Sequence, residues 1–177
     1  MEAAKRFKLA LIRFEYYERI VESLGADTIN RYDREESGYQ GGGCWEHEQG
    51  GGKFTFSALP RDKQAAILHA LDVNLPTRNK HPNPNAGTSY AIKHAVERFT
   101  GFYVSNLQAK VAMRILGYQR GGSDLNPDYN ISKREWRAFS DLSRDIESRR
   151  SAARARVAKR EEQQAAARYF YKMTKTA

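Results

Sequence analysis

The chain has 177 residues and a net charge of +9, and 29% of its residues are charged. The length predicts one domain with an appendage, and the mean hydropathy is −0.77. No apolar run approaches the roughly 18 residues of a membrane helix, which excludes a membrane partner. The single cysteine, Cys44, excludes an intramolecular disulfide framework, and the N-terminal residues lack the apolar segment of a signal peptide. We therefore expect an intracellular protein.

The positive charge is concentrated near the C-terminus. Residues 133–177 contain 13 Lys and Arg against 6 Asp and Glu, whereas residues 1–132 contain 17 against 15. The balance is therefore +7 in the short segment and +2 in the long one. Such an asymmetry indicates an anionic partner, most often nucleic acid.

Residues 2–24 predict a first helix that ends at Gly25. Its apolar side chains cover more than half of the helix circumference, and its charged side chains fill a narrow arc. The apolar set is Phe7, Leu9, Leu11, Ile12, Phe14, Tyr16, Tyr17, Ile20, Val21 and Leu24. An arc this wide favours a central core helix, and docking of a partner on the same helix is the alternative.

Residues 26–58 predict a Gly-rich loop or loose hairpin that leads into a short strand. Two runs of three glycines flank CWEHEQ, and neither matches the glycine patterns of nucleotide-binding loops. The alternation in KFTFS places Phe54 and Phe56 on one face of the strand. Trp45 at the tip of the loop is a candidate partner-binding residue. It inserts into a partner or stacks on a base, or alternatively folds back onto the core.

Cys44 and His47 have the spacing of half a zinc site. A structural zinc site commonly takes two such pairs, and the other histidines stand alone. A nucleophilic cysteine would need a histidine and an orienting group beside it in space, so only residue type supports an enzyme built on Cys44, His47 or Glu46. We expect no metal, no cofactor and no catalytic residue, and therefore a protein that is not an enzyme.

Residues 59–118 predict the compact part of the domain. A helix begins near Pro60, a residue favoured at the first helical position, and gives way to a Pro- and Asn-rich loop at residues 72–87. The next helix, SYAIKHAVERF, begins near Thr88 and stops at Gly101. The apolar turn after it is expected to pack inward or to form a short strand: Phe102, Tyr103 and Val104.

The helix after this turn has features of a DNA reader. Ser105 followed by Gln108 is a capping box, which predicts a helix start at Asn106. Asn106, Lys110 and Arg114 recur at four-residue spacing and form one polar edge, with residue types that contact bases and phosphates in a major groove. Two helices joined by a short turn, with QRGGSDLNPDYNI as a wing, fit a helix-turn-helix. A helical hairpin without a reading function is the alternative.

Residues 132–175 predict one long helix. Ser132 and Glu135 form a second capping box, and no Gly or Pro follows. Four apolar side chains are expected to anchor its first turns to the core: Trp136, Phe139, Leu142 and Ile146. The aromatic cluster Tyr169–Tyr171 near its end folds back on the first helix, pairs with a second copy to form a homodimer, or docks a partner.

The middle of this helix carries a dense run of basic residues that contains no acidic one. The run is Arg149, Arg150, Arg154, Arg156, Lys159 and Arg160. These side chains surround the helix, so the segment cannot pack as a core helix and is expected to project from the domain. We predict that it contacts nucleic-acid phosphates or a nucleoprotein.

The segment SYAIKHAVERFTGFYVSNLQAKVAMRILGY resembles small proteins of phages and integrated mobile elements. The shared positions are Ser89–Tyr90, Lys93–His94, Glu97, Gly101–Asn106, Lys110, Ala112–Met113 and Gly117–Tyr118. The resemblance covers neither the Gly-rich loop nor the basic helix, and it implies no catalytic residues. It implies a setting in a bacterial host cell that includes regulators, replication accessories and inhibitors of defence nucleases such as anti-CRISPR proteins.

Together these features predict a mainly α fold with a minor β component. A compact helical domain at residues 1–132, with a helix-turn-helix-like unit, is followed by a long basic helix at residues 133–177. The predicted function is non-enzymatic binding to a nucleic-acid-handling complex in the host cytoplasm, as an inhibitor of a defence nuclease of the anti-CRISPR type. Its partners would be DNA, RNA or a nucleoprotein nuclease complex. The alternative is a sequence-specific DNA-binding regulator of helix-turn-helix type.

Overall fold

The computed structural model describes residues 2–37, 54–122 and 125–175, with side chains from residue 14 onward except those of residues 167 and 169–175. Within these ranges the fold consists of five helices and one two-stranded antiparallel sheet. The helices are α1 (Glu2–Ser37), α2 (Arg61–Asn74), α3 (Ser89–Thr100), α4 (Asn106–Ile115) and α5 (Lys133–Lys175), and the strands are β1 (Arg120–Gly121) and β2 (Asp128–Tyr129). The prediction of a mainly α fold with a minor β component is confirmed.

Helix α1 is broken at the residue where the sequence predicts its end. Gly25 has φ 70° and ψ 158°, a conformation that favours glycine and interrupts the helical backbone. Residues 26–37 resume a helix, so the prediction of a loop is wrong over this range. Ile29 and Asp33 on this second half are buried, because α1 packs across α2 and α4. Tertiary contacts therefore stabilise a helix that the loop-like composition of the region did not predict.

The strand predicted in KFTFS does not form within residues 54–57. The Asp33 carboxylate accepts hydrogen bonds from the Phe56 amide at 2.7 Å and from the Ser57 amide at 3.0 Å. The Gln64 side chain of α2 donates to the Phe56 carbonyl at 2.9 Å. Side chains thereby satisfy the backbone groups that a second strand would have paired. Phe56 is fully buried, so the predicted apolar side chain reaches the core without a strand.

Helix α4 lies at the centre of the core. It packs against α1, α2 and α3, and every residue from Leu107 to Met113 is buried. The predicted capping box is present, since the Ser105 hydroxyl accepts from the Gln108 amide at 3.0 Å and the Gln108 side chain accepts from the Ser105 amide at 2.8 Å. The Ser105 hydroxyl also donates to the Phe54 carbonyl at 2.8 Å. The start of α4 is therefore tied to the turn at residues 54–57.

The predicted wing forms as the small sheet. Strands β1 and β2 are antiparallel, with Arg120 opposite Tyr129. One isolated bridge joins Arg78 in the loop between α2 and α3 to Ile131 just beyond β2, and a second joins Thr88 to Asp128. The sheet is therefore fastened to the Pro- and Asn-rich loop, and Tyr129 and Ile131 belong to the core.

Helix α5 is anchored at its start and projects beyond the body. Phe139 is buried and Trp136 is half-buried against the core, as predicted. Leu142 is exposed, and the prediction that it anchors the helix is wrong. The helix crosses α3 on a narrow face, where the buried side chains after Phe139 are Ser140 and Ser143. Residues 151–166 are all exposed, over a length of about 24 Å at 1.5 Å per residue.

Candidate nucleic-acid interface

Two of the three predicted base-reading residues, Asn106 and Lys110, are held by the protein itself. Lys110 is buried in the middle of α4, with 6% of its surface exposed. The Asn106 side-chain nitrogen donates to the Leu125 carbonyl and to the Asn126 side chain, each at 3.1 Å. The prediction of one continuous polar edge on α4 is therefore wrong, because the packing of the helix at the centre of the core buries Lys110 in the middle of that edge.

Arg114, the third of these residues, connects α4 to α1. It forms ion pairs with Glu35 and, at 3.2 Å, with Glu36, and its guanidinium carbon lies 4.5 Å from the centre of the Tyr32 ring. Arg120 forms a second ion pair with Glu36 at 3.3 Å. A buried carboxylate shared by two arginines balances charge and fixes α4 and β1 to α1. This geometry disfavours the helix-turn-helix alternative.

A pocket of about 420 Å³ lies beside these ion pairs. Its lining comprises Glu36, Lys110, Arg114, Tyr118, Gln119, Arg120 and Tyr129. A tyrosine hydroxyl is ordinarily protonated near neutral pH, and burial raises the pKa of Tyr118 and Tyr129 further. Both arginines of the lining are already paired with carboxylates, so the pocket offers a weaker attraction to an external anion than its residue types suggest.

The helical periodicity of residues 29–36 could have predicted the acidic partner of Arg114 and Arg120. Ile29, Tyr32 and Glu36 recur at spacings of three and four residues, the pattern of one inward helix face. The glycine runs dominate the composition of residues 26–58, and composition alone therefore predicts a loop even where this helical pattern is present. An acid on the inward face of a helix implies a cation or a hydrogen-bond donor opposite it.

The basic run of α5 divides between two faces of the helix. At about 100° per residue, Arg150 and Arg154 share the face toward the body, whereas Arg156, Lys159 and Arg160 lie within about 100° of arc on the outer side. All five belong to the predicted binding set. The two faces have different surroundings, and their side chains therefore have different roles.

Arg150 is part of the contact between α5 and α3. Its guanidinium donates to the Arg98 carbonyl at 2.9 Å and to the Phe99 carbonyl at 3.3 Å, at the C-terminal end of α3. A cation at this end is stabilised by the helix dipole. Gly101, with φ 86°, permits the approach, because a Cβ there would lie 2.8 Å from the Arg150 guanidinium carbon. Arg150 therefore has a structural role, because its guanidinium holds α5 against the end of α3.

The remaining basic residues are open to solvent. Arg149 forms an exposed ion pair with Asp145 at 2.9 Å, which contributes little in water. Four side chains are exposed and form no ion pair with an acid in the part of the chain that the structure describes: Arg154, Arg156, Lys159 and Arg160. These four cations are the predicted binding residues that the fold leaves available.

A groove of about 440 Å³ lies where α5 leaves the body. It is lined by Glu97, Arg98, Gly101, Phe102, Tyr103, Glu147, Arg150 and Arg154. Tyr103 is 53% exposed, so the prediction that it packs inward is wrong; Val104 is the fully buried residue of that turn. The apolar composition of the turn does not predict which of the two rings, Phe102 or Tyr103, is exposed to solvent. The groove therefore combines an exposed aromatic ring with arginines.

Trp45, Cys44 and His47 lie outside the described residues, so the predictions for the Gly-rich loop remain predictions. Within residues 2–37, 54–122 and 125–175, no group of three or more His, Cys, Asp or Glu side chains is placed to hold a metal ion. None of the helices in these ranges combines the length and the apolar character that crossing a lipid bilayer requires.

Comparison of the chain with protein-family models, with curated proteins and with solved structures finds no match. The resemblance of residues 89–118 to phage and mobile-element proteins remains a prediction from the sequence.

Proposed function

We propose that the protein acts by binding, without catalysis, to a nucleic-acid-handling complex of a bacterial host, with the projecting part of α5 lying along nucleic-acid phosphates. The observation that supports this most is the run of exposed residues 151–166, which contains four cations without an ion pair in the described part of the chain. Since no ion pair among the described residues neutralises these charges, they are available to attract a polyanion, which releases counterions on binding.

The proposed biological role is inhibition of a host defence nuclease, of the anti-CRISPR type, in the bacterial cytoplasm. The bacterial setting is inferred from the sequence resemblance. The fold supports separate contacts for the packed body and for the projecting helix. Helices α1 to α4 form a packed body, and α5 extends about 24 Å beyond it. A rigid body docked on the protein part of the complex would allow α5 to reach the nucleic acid that the nuclease uses.

The outer face of α5 provides the direct test. Replacement of Arg156, Lys159 and Arg160 together by Glu is expected to weaken binding of a fluorescently labelled oligonucleotide by at least about tenfold at low salt. The slope of log affinity against log salt should fall by about 2 to 3, since each lost phosphate contact removes close to one unit. Fluorescence anisotropy over a salt series measures both quantities.

The same helix offers a matched control. Lys133, Arg134 and Arg137 are exposed at the packed start of α5, and their replacement by Glu makes the same charge change with the same residue types. The control variant should retain the salt slope. Equal losses in both variants would show that only net charge matters, and no loss in either would overturn the proposal.

The inhibitory role is tested with a purified RNA-guided nuclease complex of the host. The wild-type protein is expected to co-elute with the complex and to lower its cleavage rate, and the outer-face variant should do neither. If the wild-type protein binds nucleic acid but leaves every tested nuclease fully active, binding stands and the inhibitory role does not.

A further inference from the structure

The groove at the root of the projecting helix joins an exposed aromatic ring to a cation that forms no ion pair within the described residues. Tyr103 and Arg154 both line it, and Tyr103 is 53% exposed. The described chain has other exposed large apolar side chains: Tyr16, Val73, Tyr90, Leu125, Leu142 and Val157. None of these lines either of the two arginine-containing pockets described above. Tyr103 is therefore the exposed ring placed where a base could stack beside a bound phosphate.

The Tyr103 ring is held in position by its neighbours. The Lys93 ammonium lies 4.7 Å from the centre of the ring, and the Phe54 ring meets it edge-on with centroids 6.0 Å apart. Lys93 is buried, so the cation that supports the ring is itself fixed. A ring that is already oriented loses little conformational entropy when a ligand stacks on it.

The acidic residues of the groove are already occupied. The Glu97 carboxylate lies 3.6 Å from the Lys93 ammonium and 2.7 Å from the His94 ring nitrogen, and it accepts from the Val104 amide at 3.2 Å. The second acid, Glu147, lies 4.0 Å from Arg150. Arg154 has no such partner in the described ranges, so the groove presents a positive charge to a ligand.

We propose that this groove binds one unpaired base of a single-stranded nucleic acid, stacked on Tyr103, with a neighbouring phosphate on Arg154. Stacking requires a base with a free face, and the bases of a duplex are stacked on each other. The groove volume of about 440 Å³ lies within the range of small-ligand sites, about 300–1,000 Å³. The inference rests on the proposed function, because the rest of the strand would follow the outer face of α5.

Three variants separate a stacking role from a structural one. Tyr103→Ala is expected to weaken binding of a single-stranded oligonucleotide about tenfold, whereas Tyr103→Phe retains the ring and the affinity. Tyr90→Ala is the matched control, since Tyr90 is also 53% exposed and also lies near Lys93, with its ring centre 5.7 Å from the ammonium. Binding of a duplex should respond to none of the three, and circular dichroism verifies that each variant is folded.

A strand of abasic sites makes the test independent of folding. It retains the phosphates and lacks the bases, so the wild-type protein should bind it about tenfold more weakly than the normal strand. Tyr103→Ala should bind the two strands equally. RNA and single-stranded DNA versions of each probe show which of the two the groove prefers.

The outcomes distinguish this inference from the proposed function. If the outer-face variant loses binding but Tyr103→Ala matches Tyr90→Ala, the phosphate contact stands and the base site is overturned. The base site is also overturned if Tyr103→Ala weakens duplex binding as much as single-strand binding. If neither the outer-face variant nor Tyr103→Ala weakens binding, both proposals are overturned.

Discussion

Asp33 and Glu36 are buried carboxylates on the second half of α1, each 4% exposed. Asp33 binds two backbone amides, and Glu36 binds Arg114 and Arg120. A buried carboxylate without partners costs several kcal/mol, so these contacts decide whether residues 26–37 can pack as they do. Both acids stabilise the fold, and their partners lie in segments more than 20 residues away in the chain.

Removal of the Glu36 carboxylate is expected to destabilise the protein. Glu36→Ala should lower the free energy of unfolding by about 2 to 4 kcal/mol, because it leaves two arginines without their buried partner. Glu35→Ala is the control, since it removes a carboxylate that also pairs with Arg114 but whose side chain is 42% exposed, and it should cost less than about 1 kcal/mol. Urea unfolding measures both, and equal losses would contradict the assigned role of Glu36.

Among the elements, α4 shows how a local signal and a tertiary environment combine. The capping box of Ser105 and Gln108 sets the start of the helix, and its contacts are the ones that the sequence predicts. Packing against α1, α2 and α3 places the same helix at the centre of the core. Because every residue from Leu107 to Met113 is buried, the middle of α4 is not presented to a DNA groove, which disfavours base reading by this helix.

Loss of the cap should destabilise α4. Ser105→Ala is expected to lower the free energy of unfolding by about 1 to 2 kcal/mol, because it removes the bond from the Gln108 amide and leaves the Phe54 carbonyl without the hydroxyl. Ser151→Ala on the exposed part of α5 makes the same chemical change without a buried partner and should stay within about 0.5 kcal/mol. Thermal or urea unfolding distinguishes them; a cost for Ser105→Ala no larger than the control would contradict the capping role.

At the scale of the whole molecule, stability is distributed unevenly. The core formed by α1 to α4 buries large apolar side chains, whereas residues 151–166 bury none. A helix without tertiary packing is marginal in water, because most helical stability in proteins comes from burial of one face. The projecting part of α5 is therefore expected to open independently of the body.

Hydrogen exchange measured by mass spectrometry tests this difference. Amides of residues 151–166 should exchange orders of magnitude faster than those of residues 107–113, which are buried in α4. Addition of a single-stranded oligonucleotide should slow exchange in residues 151–166 and leave residues 107–113 unchanged. Similar exchange rates in the two segments without ligand would show that α5 is stabilised by contacts other than those described.

Much of the backbone could be predicted because its signals are local. Gly25, Gly101 and the Ser105–Gln108 pair act within about one helical turn, so the residues that break, end or start a helix lie beside the place where they act. The antiparallel hairpin likewise depends on nearby turn residues. The start of the exposed half of α5 follows from charge, since a dense basic run without an acidic residue cannot be packed in a core.

The candidate site could be predicted only in part, because burial depends on partners distant in the chain. Arg114 and Arg156 are both arginines on helices, yet the first pairs with α1 and the second is exposed. Tyr103 and Val104 are neighbours in an apolar turn, and packing alone decided which one stayed outside. By itself the sequence determined a basic helix that must remain in solvent. The tertiary structure decided which cations the fold uses and where the exposed aromatic ring lies, because pairing and packing join segments that are far apart in sequence.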